Sequence, residues 1–455
     1  MSQDLQSFLR SIERNFPQHL LTINKEVDPL MFETSAIIKH LTNQGNHPIV
    51  LFNHTKAVNR SPSIFPVLDN VFATRELCAL ALDLPPEQSG MALSLEFSKR
   101  ENIQIAPTIL DRSVAPVKEI IRREADIDIR ELPAGRFHEM DVGPYLTMVD
   151  VMKGERGFYD VSFVKHLILD AKSMTVSLHH SIRKHMLTIL EANEARNMPT
   201  PMIIVLGHHP AFYLGAGALK EFGNNDYATI GSFLQEPLRL TASETWGDTF
   251  MVPADAEIVI EGEIIPHKRE IQNPFGEYSG YYQPQCLMPV MKVTAMTHKK
   301  NAIMQEVFPA HSSHFNLGSI PKEGSIYNEI QKVAPEVREV FLPHSGTGRI
   351  SCYISIKKKR EGDAKQAGLV PFIQAGQIKY VVIVDDDVNI YDEQEVLWAM
   401  ITRVNLTNGV DVIKNMPRYD RILIDATRPL EIPFPGKNTI PAEVMTRIKL
   451  SDYLE

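Results

Sequence analysis

The sequence predicts a mixed α/β (α+β) fold in three parts, because the pattern of apolar residues changes twice along its 455 residues. Helical spacing near the start leads into a short apolar strand, which is typical of an α/β unit. From about residue 140 to 300, β-branched runs alternate with turns, which favours a sheet-rich middle. Beyond Pro321 strand and helix patterns alternate again. We therefore expect an N-terminal α/β domain at 1–115, a central β domain at 116–318 and a C-terminal α/β domain at 319–455.

The N-terminal part is expected to be helical over residues 2–45, where apolar side chains recur at helical spacing in two groups. The second group follows a helix start at Asp28-Pro29. A continuous apolar run at 48–52 then predicts a buried strand within 47–53. The two helical groups are Leu5, Phe8, Leu9 and Ile12, and Met31, Ile37, Ile38 and Leu41.

The middle and the end of the chain contain elements of both kinds. Strands are expected at 202–206, 257–262 and 291–295, and one helix at 181–196, where Ile182, His185, Met186, Ile189 and Leu190 share a face. Towards the C-terminus we expect a buried strand at 380–384, a helix at 393–404, a proline-rich loop at 417–435 and a final helix at 441–454.

The composition excludes several classes of protein. A hydrophobic fraction of 44% with 23% charged residues is that of a globular chain with ample core. The net charge of −9 argues against a nucleic-acid partner. Cys78, Cys286 and Cys352 lack the spacing of a zinc site or a disulfide framework. No apolar run approaches the roughly 18 residues of a membrane span, so we expect a cytoplasmic protein.

The segment 272–282 carries the most informative local pattern. Pro274 fixes its own φ, Gly276 permits a close approach of the backbone, and Glu277 follows at once. Nearby aromatic rings, Phe275 and Tyr281, could exclude water from this carboxylate. The turn could therefore position an acid, although by itself the pattern is also typical of a turn between two strands.

The same segment resembles the signature of the UbiD-type decarboxylases, in which a Pro-Phe-Gly-Glu-x-x-Gly-Tyr run carries the proton-donating glutamate. A second block, at 384–392 and 397–403, resembles the family in the expected order. The resemblance implies a split β-barrel that holds prenylated FMN in the central domain. It also implies a C-terminal domain that serves oligomerisation, with a terminal helix that clasps a neighbouring subunit.

Family resemblance further implies that Glu277 protonates the carbon from which CO2 departs. At the family's other two catalytic positions this chain has Lys165 in place of arginine and Gln272 in place of glutamate. Lys165 would orient the substrate carboxylate or hold Glu277, and Gln272 would donate a hydrogen bond where the family has an anion. Glu270 lies two residues before Gln272 in a predicted strand and could supply the missing carboxylate.

These departures keep other functions open. One alternative is a UbiD-like flavin-binding protein or subunit without decarboxylase activity. An ordinary FMN oxidoreductase is less favoured, because the Pro-Phe-Gly-Glu segment has no evident role in hydride transfer.

The resemblance also implies a metal site and a cofactor site. The metal ligands would be Asp160, His185 (or alternatively His180) and Asp226, oxygen and nitrogen donors suited to Mn2+ or Mg2+, with K+ as a further ion. Small residues in 214–218 permit close approach to the flavin phosphate. The full set of expected cofactor contacts is Ser162, Phe163, Val164, Lys165, Ala216, Gly217, Ala218 and Lys379.

The expected partners follow from the same resemblance. They are a small-molecule carboxylic acid as substrate, a flavin prenyltransferase as supplier of the cofactor, and further copies of this chain in a homodimer or homohexamer.

Overall fold

The structure is a computed structural model, which describes residues 4–178 and 184–453. Its helices in the described residues are α1 (Leu5–Asn15), α2 (Glu33–Asn43), α3 (Arg75–Ala81), α4 (Met91–Glu101), α5 (Lys184–Glu194), α6 (Pro210–Ala216), α7 (Asp226–Leu234), α8 (Ser312–Val333), α9 (Asp363–Gln374), α10 (Glu393–Arg403) and α11 (Ala442–Arg447).

The strands in the first part of the described chain are β1 (Leu20–Ile23), β2 (Ile49–Phe52), β3 (Val67–Asp69), β4 (Thr108–Ile109), β5 (Ile120–Arg123), β6 (Tyr145–Leu146), β7 (Val149–Lys153), β8 (Tyr159–Phe163), β9 (His166–Leu167), β10 (Ser173–Thr175), β11 (Thr200–Leu206) and β12 (Arg239–Ser243). Those that follow are β13 (Gly247–Pro253), β14 (Ile258–Gln272), β15 (Phe275–Gly276), β16 (Tyr282–Gln283), β17 (Cys286–His298), β18 (Met304–Gln305), β19 (Val337–Phe341), β20 (Ser351–Ile356), β21 (Tyr380–Asp385), β22 (Val410–Ile413) and β23 (Arg421–Ala426).

The chain divides into two compact units. The first comprises Met1–Ser325 and Leu342–Arg349, and the second comprises Ile326–Phe341 and Ile350–Glu455. The predicted domain boundaries at 115/116 and 318/319 stay predictions. No helix among the described residues combines the length and the apolar character needed to cross a membrane.

The first unit is built around a mainly antiparallel sheet. Its strands follow the order β10-β17-β14-β11-β7-β8, and β5 pairs with β17. This open path of long strands is the sheet of the central part of the chain, as the β-branched runs predicted. Strand β11 lies between β14 and β7, and most of its residues are buried, because its continuous apolar run can pack on both faces.

The N-terminal part of the first unit has its own four-stranded sheet, with the order β1-β2-β3-β18. Helix α1 begins as a capping box, because the Asp4 carboxylate accepts from the Ser7 amide at 2.8 Å. The predicted apolar face of α1 is buried, as is most of strand β2. The prediction of helices alone over 2–45 is wrong at β1, which forms because it pairs in parallel with β2.

The second unit contains a five-stranded sheet in the order β19-β20-β21-β23-β22. The predicted strand at 380–384 and helix at 393–404 are confirmed as β21 and α10. The predicted loop at 417–435 is wrong in part, because β23 pairs with both β21 and β22. The final helix is shorter than expected: α11 ends at Arg447, since Ile448 is extended.

Candidate active site

Asp141 fixes the turn that carries Glu277. Its Oδ1 accepts a hydrogen bond from the Gly276 amide at 2.9 Å, and its Oδ2 accepts from the amides of Phe137 and His138, also at 2.9 Å. The Asp141 side chain has no exposed surface. A buried carboxylate that accepts three amide hydrogen bonds is a rigid anchor.

Gly276 is required by close packing, as the sequence predicted. A Cβ atom at this position would lie 2.3 Å from Nδ1 of His138. Only glycine therefore lets the turn approach the imidazole ring without a shift of its neighbours. The residue that follows, Glu277, begins a tight reversal in which its amide donates to the Tyr281 carbonyl at 3.0 Å.

Lys165 and Glu277 form an ion pair. The Lys165 Nζ contacts Oε1 of Glu277, and it lies 4.7 Å from the centroid of the Phe275 ring. The two side chains retain 16% and 18% exposure, so the pair borders accessible space. The structure thus brings together two of the three predicted catalytic residues.

The aromatic surroundings of the pair differ from the expectation. Phe275 is buried, and its ring packs against Tyr145 with centroids 4.3 Å apart. Tyr281 is 78% exposed, so its predicted role in excluding water from Glu277 is wrong. The reversal after Glu277 carries the Tyr281 side chain outward.

Gln272 is fully buried, and both ends of its side-chain amide are hydrogen-bonded. Its Oε1 accepts from Oγ1 of Thr175 at 2.5 Å, and its Nε2 donates to Oδ1 of Asn273 at 3.4 Å. His166 continues the network, since its Nδ1 contacts the Thr175 carbonyl at 3.0 Å. Glu270 is exposed, so the idea that it replaces a buried carboxylate near Gln272 is wrong.

Two of the three predicted metal ligands, Asp160 and His185, are in contact, and Asp226 binds the backbone of the residue after Asp160. Nδ1 of His185 lies 3.1 Å from Oδ1 of Asp160, and Oδ2 of Asp226 accepts from the Val161 amide at 2.8 Å. Burial, and then the Asp160 charge, raise the pKa of Asp226 to about 7. In the part of the chain described, no three His, Cys, Asp or Glu side chains cluster as metal ligands. His180 lies outside the described residues.

The expected cofactor residues lie on neighbouring elements of the first unit. Strand β8 carries Ser162 and Phe163, and the Phe163 ring lies 6.1 Å from the Tyr213 ring of helix α6. The amides of Gly217 and Ala218 already donate to carbonyls at the end of α6, and they are therefore not free donors for a phosphate. The cofactor role of this segment, with Ala216, stays a prediction.

Val164 and Lys379, the other two predicted cofactor residues, lie in different units of the chain. Val164, between Phe163 and Lys165, is buried. Lys379 belongs to the second unit, where its Nζ lies 5.4 Å from the Tyr380 ring centroid and 6.0 Å from that of Tyr419. Its predicted contact with the cofactor stays a prediction.

Sequence reasoning missed Asp141 and His138. Both are distant in sequence from the turn they support, and neither lies in a recognisable motif. Burial lowers the pKa of His138, and the charge of Lys165 lowers it further, while Asp141 opposes both effects. A neutral imidazole therefore borders the Lys165–Glu277 pair at neutral pH.

Family models match most of the chain. The model described as the 3-octaprenyl-4-hydroxybenzoate carboxy-lyase Rift-related domain matches residues 108–312. The models of the N-terminal and C-terminal domains of the same carboxy-lyase match 15–94 and 315–423.

Similar proteins cover nearly the whole chain. Gallate decarboxylase of Lactiplantibacillus plantarum is 28% identical, over 94% of this chain and 95% of that protein. Phenolic acid decarboxylase of Sedimentibacter hydroxybenzoicus is 28% identical, over 94% and 92%. The UbiD-class enzyme HmfF from Pelotomaculum thermopropionicum, solved in an evolved dimeric form in complex with prFMN, is 32% identical with a TM-score of 0.89, and all of both chains is covered. The chain therefore belongs to the UbiD carboxy-lyase family.

Proposed function

We propose that this chain removes CO2 from an aromatic or α,β-unsaturated carboxylic acid, with prenylated FMN as cofactor and Glu277 as proton donor. The observation that carries the proposal is the Lys165–Glu277 ion pair on a turn anchored by Asp141. The relatives support the reaction class, because two of them are named as decarboxylases of phenolic acids.

Lys165, Glu277 and Phe275 would each have a separate role in the reaction. Lys165 holds the Glu277 carboxylate and offers a positive charge to the carboxylate of an incoming acid. Glu277 becomes protonated from solvent through its exposed surface and then delivers this proton to the carbon that has lost CO2. Phe275 forms an apolar floor beneath the Lys165 ammonium. When bound, prenylated FMN supplies an electrophilic ring that accepts the electron pair released with CO2.

Gln272 is proposed as a positioning residue. Its buried amide ties the end of β14 to Thr175, and the amide of Ser177, just beyond Thr175, donates to the Lys165 carbonyl at 3.0 Å. A neutral amide suits this place, because a buried carboxylate would need a second cation close by.

Asp160, His185 and Asp226 would hold Mn2+ or Mg2+ against the cofactor phosphate. The fit rests on the two carboxylates, since a divalent cation would relieve the mutual repulsion that contributes to the raised pKa of Asp226. The oxygen and imidazole donors are the ligand types that these cations accept. K+ remains a prediction that rests on the family resemblance.

Replacing Glu277 with Gln tests the proton-donor role. We expect flavin to stay bound and turnover of a confirmed substrate to fall by about 10²–10⁴, because an amide cannot deliver a proton. The protein should be co-expressed with a flavin prenyltransferase, and the mass and absorption spectrum of the bound flavin recorded. Glu270→Gln is the matched control, since Glu270 is a nearby exposed glutamate. Activity of Glu277→Gln within about threefold of the native chain would exclude Glu277 as the acid.

The second candidate function is flavin binding without decarboxylation. The buried amide of Gln272 favours it, because this amide takes the place of the family's first catalytic carboxylate. Hydrogen–deuterium exchange across a panel of aryl and acrylic acids separates the two functions, since only the decarboxylase exchanges the proton at the reacting carbon.

Oligomerisation through the second unit is also proposed. Seven large apolar residues near the C-terminus are exposed, and an exposed series of this kind is typical of an interface. They are Leu430, Ile432, Phe434, Ile440, Met445, Ile448 and Leu450. Light scattering of the intact chain against a chain truncated after Arg428 would detect the assembly.

A further inference from the structure

A buried histidine and a buried aspartate lie behind the candidate active site, and the proposed reaction does not use them. His166 is the first residue of β9, directly after Lys165, and Asp150 lies on β7. Both side chains have no exposed surface, and Nε2 of His166 lies 2.8 Å from Oδ1 of Asp150. Because an imidazole and a carboxyl group are costly to remove from water unless they are paired, this contact holds both side chains inside the protein.

The contacts of His166 determine where its protons lie. Nδ1 is 3.0 Å from the carbonyl oxygen of Thr175, which can only accept, so Nδ1 carries a proton. A second proton must lie between Nε2 and Asp150, because a bare imidazole nitrogen and a carboxylate oxygen are both acceptors. Asp150 therefore holds the ring in the orientation in which Nδ1 donates to Thr175.

Thr175 is held at two points by this segment. The His166 ring binds its carbonyl, and the amide of Leu167 donates to its Oγ1 at 3.3 Å. Since Oγ1 accepts from that amide, its own proton points to Oε1 of Gln272, 2.5 Å away. The position and the direction of the Thr175 hydroxyl group are thus set by the residues that follow Lys165.

The other end of the Gln272 amide is fixed in the same sense. Nδ2 of Asn273 donates to the Pro284 carbonyl at 3.4 Å, which leaves its Oδ1 to accept from Nε2 of Gln272, also at 3.4 Å. A carbonyl cannot donate, so each of the two amides has one matching orientation. The hydrogen bonds therefore run in one direction, from Leu167 through Thr175, Gln272 and Asn273 to Pro284.

This directed series of hydrogen bonds suits an amide at position 272. A carboxylate there would turn its second oxygen towards Oδ1 of Asn273, and two acceptors repel each other. Asn273 directly precedes the turn that carries Glu277. The orientation of the Gln272 amide is therefore coupled to the base of the acid turn.

We propose that His166 and Asp150 are positioning residues of the candidate active site, which act through Thr175 to fix the Gln272 amide at the base of the Glu277 turn. The inference rests on the proposed function for the reaction that this amide serves. The hydrogen bonds themselves are a property of the chain alone. Neither His166 nor Asp150 has exposed surface with which to contact a substrate, so both act only through other residues.

Two replacements of His166 separate its two contacts. The amide group of an asparagine can replace Nδ1 as donor to Thr175, and that of a glutamine can replace Nε2 at Asp150. In the flavin-loaded chain we expect His166→Asn to keep turnover of a confirmed substrate within about threefold and His166→Gln to lower it by at least about tenfold. Melting temperatures are recorded for both, because a role in packing alone predicts no such order. Equal losses of turnover overturn the proposal.

Thr175 and Asp150 offer matched pairs for the other steps. Thr175→Ser keeps the hydroxyl group and should behave as the native chain, whereas Thr175→Val cannot donate to Gln272 and should match His166→Gln. Asp150→Asn should be tolerated, since its amide can donate to Nε2, whereas Asp150→Val should not. Thr175→Val also serves if His166→Gln does not fold. Equal turnover within either pair overturns the role of that residue.

Amide hydrogen exchange, followed by mass spectrometry, tests the positioning role without turnover. The amides of 272–277 should exchange at least about tenfold faster in His166→Gln than in His166→Asn, with those of helix α10 unchanged. In a Gln272→Met background this difference should fall to within about threefold, because no amide remains to be oriented.

The outcomes of the exchange experiment are distinct. A difference that is absent with Gln272 in place, or that persists in the Gln272→Met background, overturns the proposal. If the native chain neither decarboxylates nor exchanges a substrate proton, while the amide pattern appears as expected, the proposed function fails and the positioning role stands.

Discussion

The two ends of the candidate site differ in how their charges are balanced. At the acid end, Lys165 faces Glu277, and Asp141 satisfies three backbone amides while fully buried. At the metal end, Asp160 and Asp226 are like charges, and burial together with Asp160 raises the pKa of Asp226 to about 7. At the acid end, the charged groups have partners within the protein. At the metal end, the two carboxylates repel each other, and a bound cation would reduce this repulsion.

This difference indicates what each end requires. The acid end is held by hydrogen bonds and packing within the chain, so its geometry is expected to persist without a ligand. The metal end should gain stability from a bound cation at pH values where both carboxylates are ionised, because the two carboxylates disfavour each other's ionised form. Mutations at the acid end should therefore change the stability of the protein without any ligand. Mutations at the metal end should change how its stability depends on bound metal and on pH.

The largest effect is expected at Asp141. Asp141→Ala leaves the amides of Phe137, His138 and Gly276 without their acceptor in a buried place. We expect the free energy of unfolding to fall by about 3–5 kcal/mol, because unsatisfied buried groups each cost about 1–3 kcal/mol and relaxation recovers part of this. Urea denaturation measures the change, and turnover should fall with it as Glu277 loses its support.

Asp111→Ala is the control for this prediction. Asp111 also accepts from a backbone amide, that of Ser113 at 2.8 Å, but in an exposed turn. Its replacement should leave the unfolding free energy nearly unchanged, because water can satisfy the Ser113 amide in an exposed turn. Equal effects of the two replacements would mean that Asp141 is not a special anchor of the acid end.

The fold could be predicted where the pattern is long and local. The strands of the central sheet and helices α1 and α10 follow from runs of apolar residues with a clear period. Strands β1 and β23 could not be predicted, because each is short and depends on partners elsewhere in the chain. In β23 the buried Arg421 donates to the carbonyls of Ile378 and Gly376, a polar requirement that a hydrophobic pattern does not reveal.

The site could be predicted only where residues lie in a motif. The turn with Gly276 and Glu277, and the partner Lys165, follow from the family resemblance and meet in the structure. Asp141 and His138 could not be found, because their role arises from contacts over more than a hundred residues of sequence. The error at Tyr281 has a similar cause, since side-chain direction after a tight turn depends on the backbone path.

An effect of intermediate size is expected at Lys165 and Gln272, the two positions where this chain departs from the family pattern. If Lys165 and Gln272 are a matched adaptation, the pair Lys165→Arg with Gln272→Glu should be tolerated better than either single change. A lone glutamate would be buried beside Thr175 without a second cation, and a lone arginine would have one carboxylate for its fork. A double-mutant cycle on substrate binding or turnover should give a coupling energy of about 0.5–3 kcal/mol.

The matched control for the cycle pairs Lys165→Arg with Glu270→Gln, because Glu270 lies on the same strand as Gln272 but is exposed. This pair should be additive within about 0.5 kcal/mol. If the cycle with Gln272 is equally additive, the two departures are independent and the adaptation is disproved.

The smallest effect is expected at Asp226, where the sign depends on pH. With a folded-state pKa of about 7 and a usual value of 3.8, this carboxyl group ionises more readily in the unfolded chain. The contribution of this carboxyl group to folding stability is therefore fully present below about pH 4 and is lost as the pH rises through about 7. Asp226→Asn cannot ionise, so this dependence should disappear in the metal-free chain.

Thermal unfolding in the presence of a chelator measures this difference. At pH 8 we expect Asp226→Asn to melt above the native chain, and the gap should close towards pH 4.5. Asp248→Asn, at an exposed position, should show no such gap.

Added Mn2+ should then raise the melting temperature of the native chain at pH 8 and not that of Asp226→Asn, because the variant has no repulsion for the cation to relieve. An equal response of both chains to Mn2+ would mean that Asp226 is not a ligand, and the contrast between the two ends would then rest on burial alone.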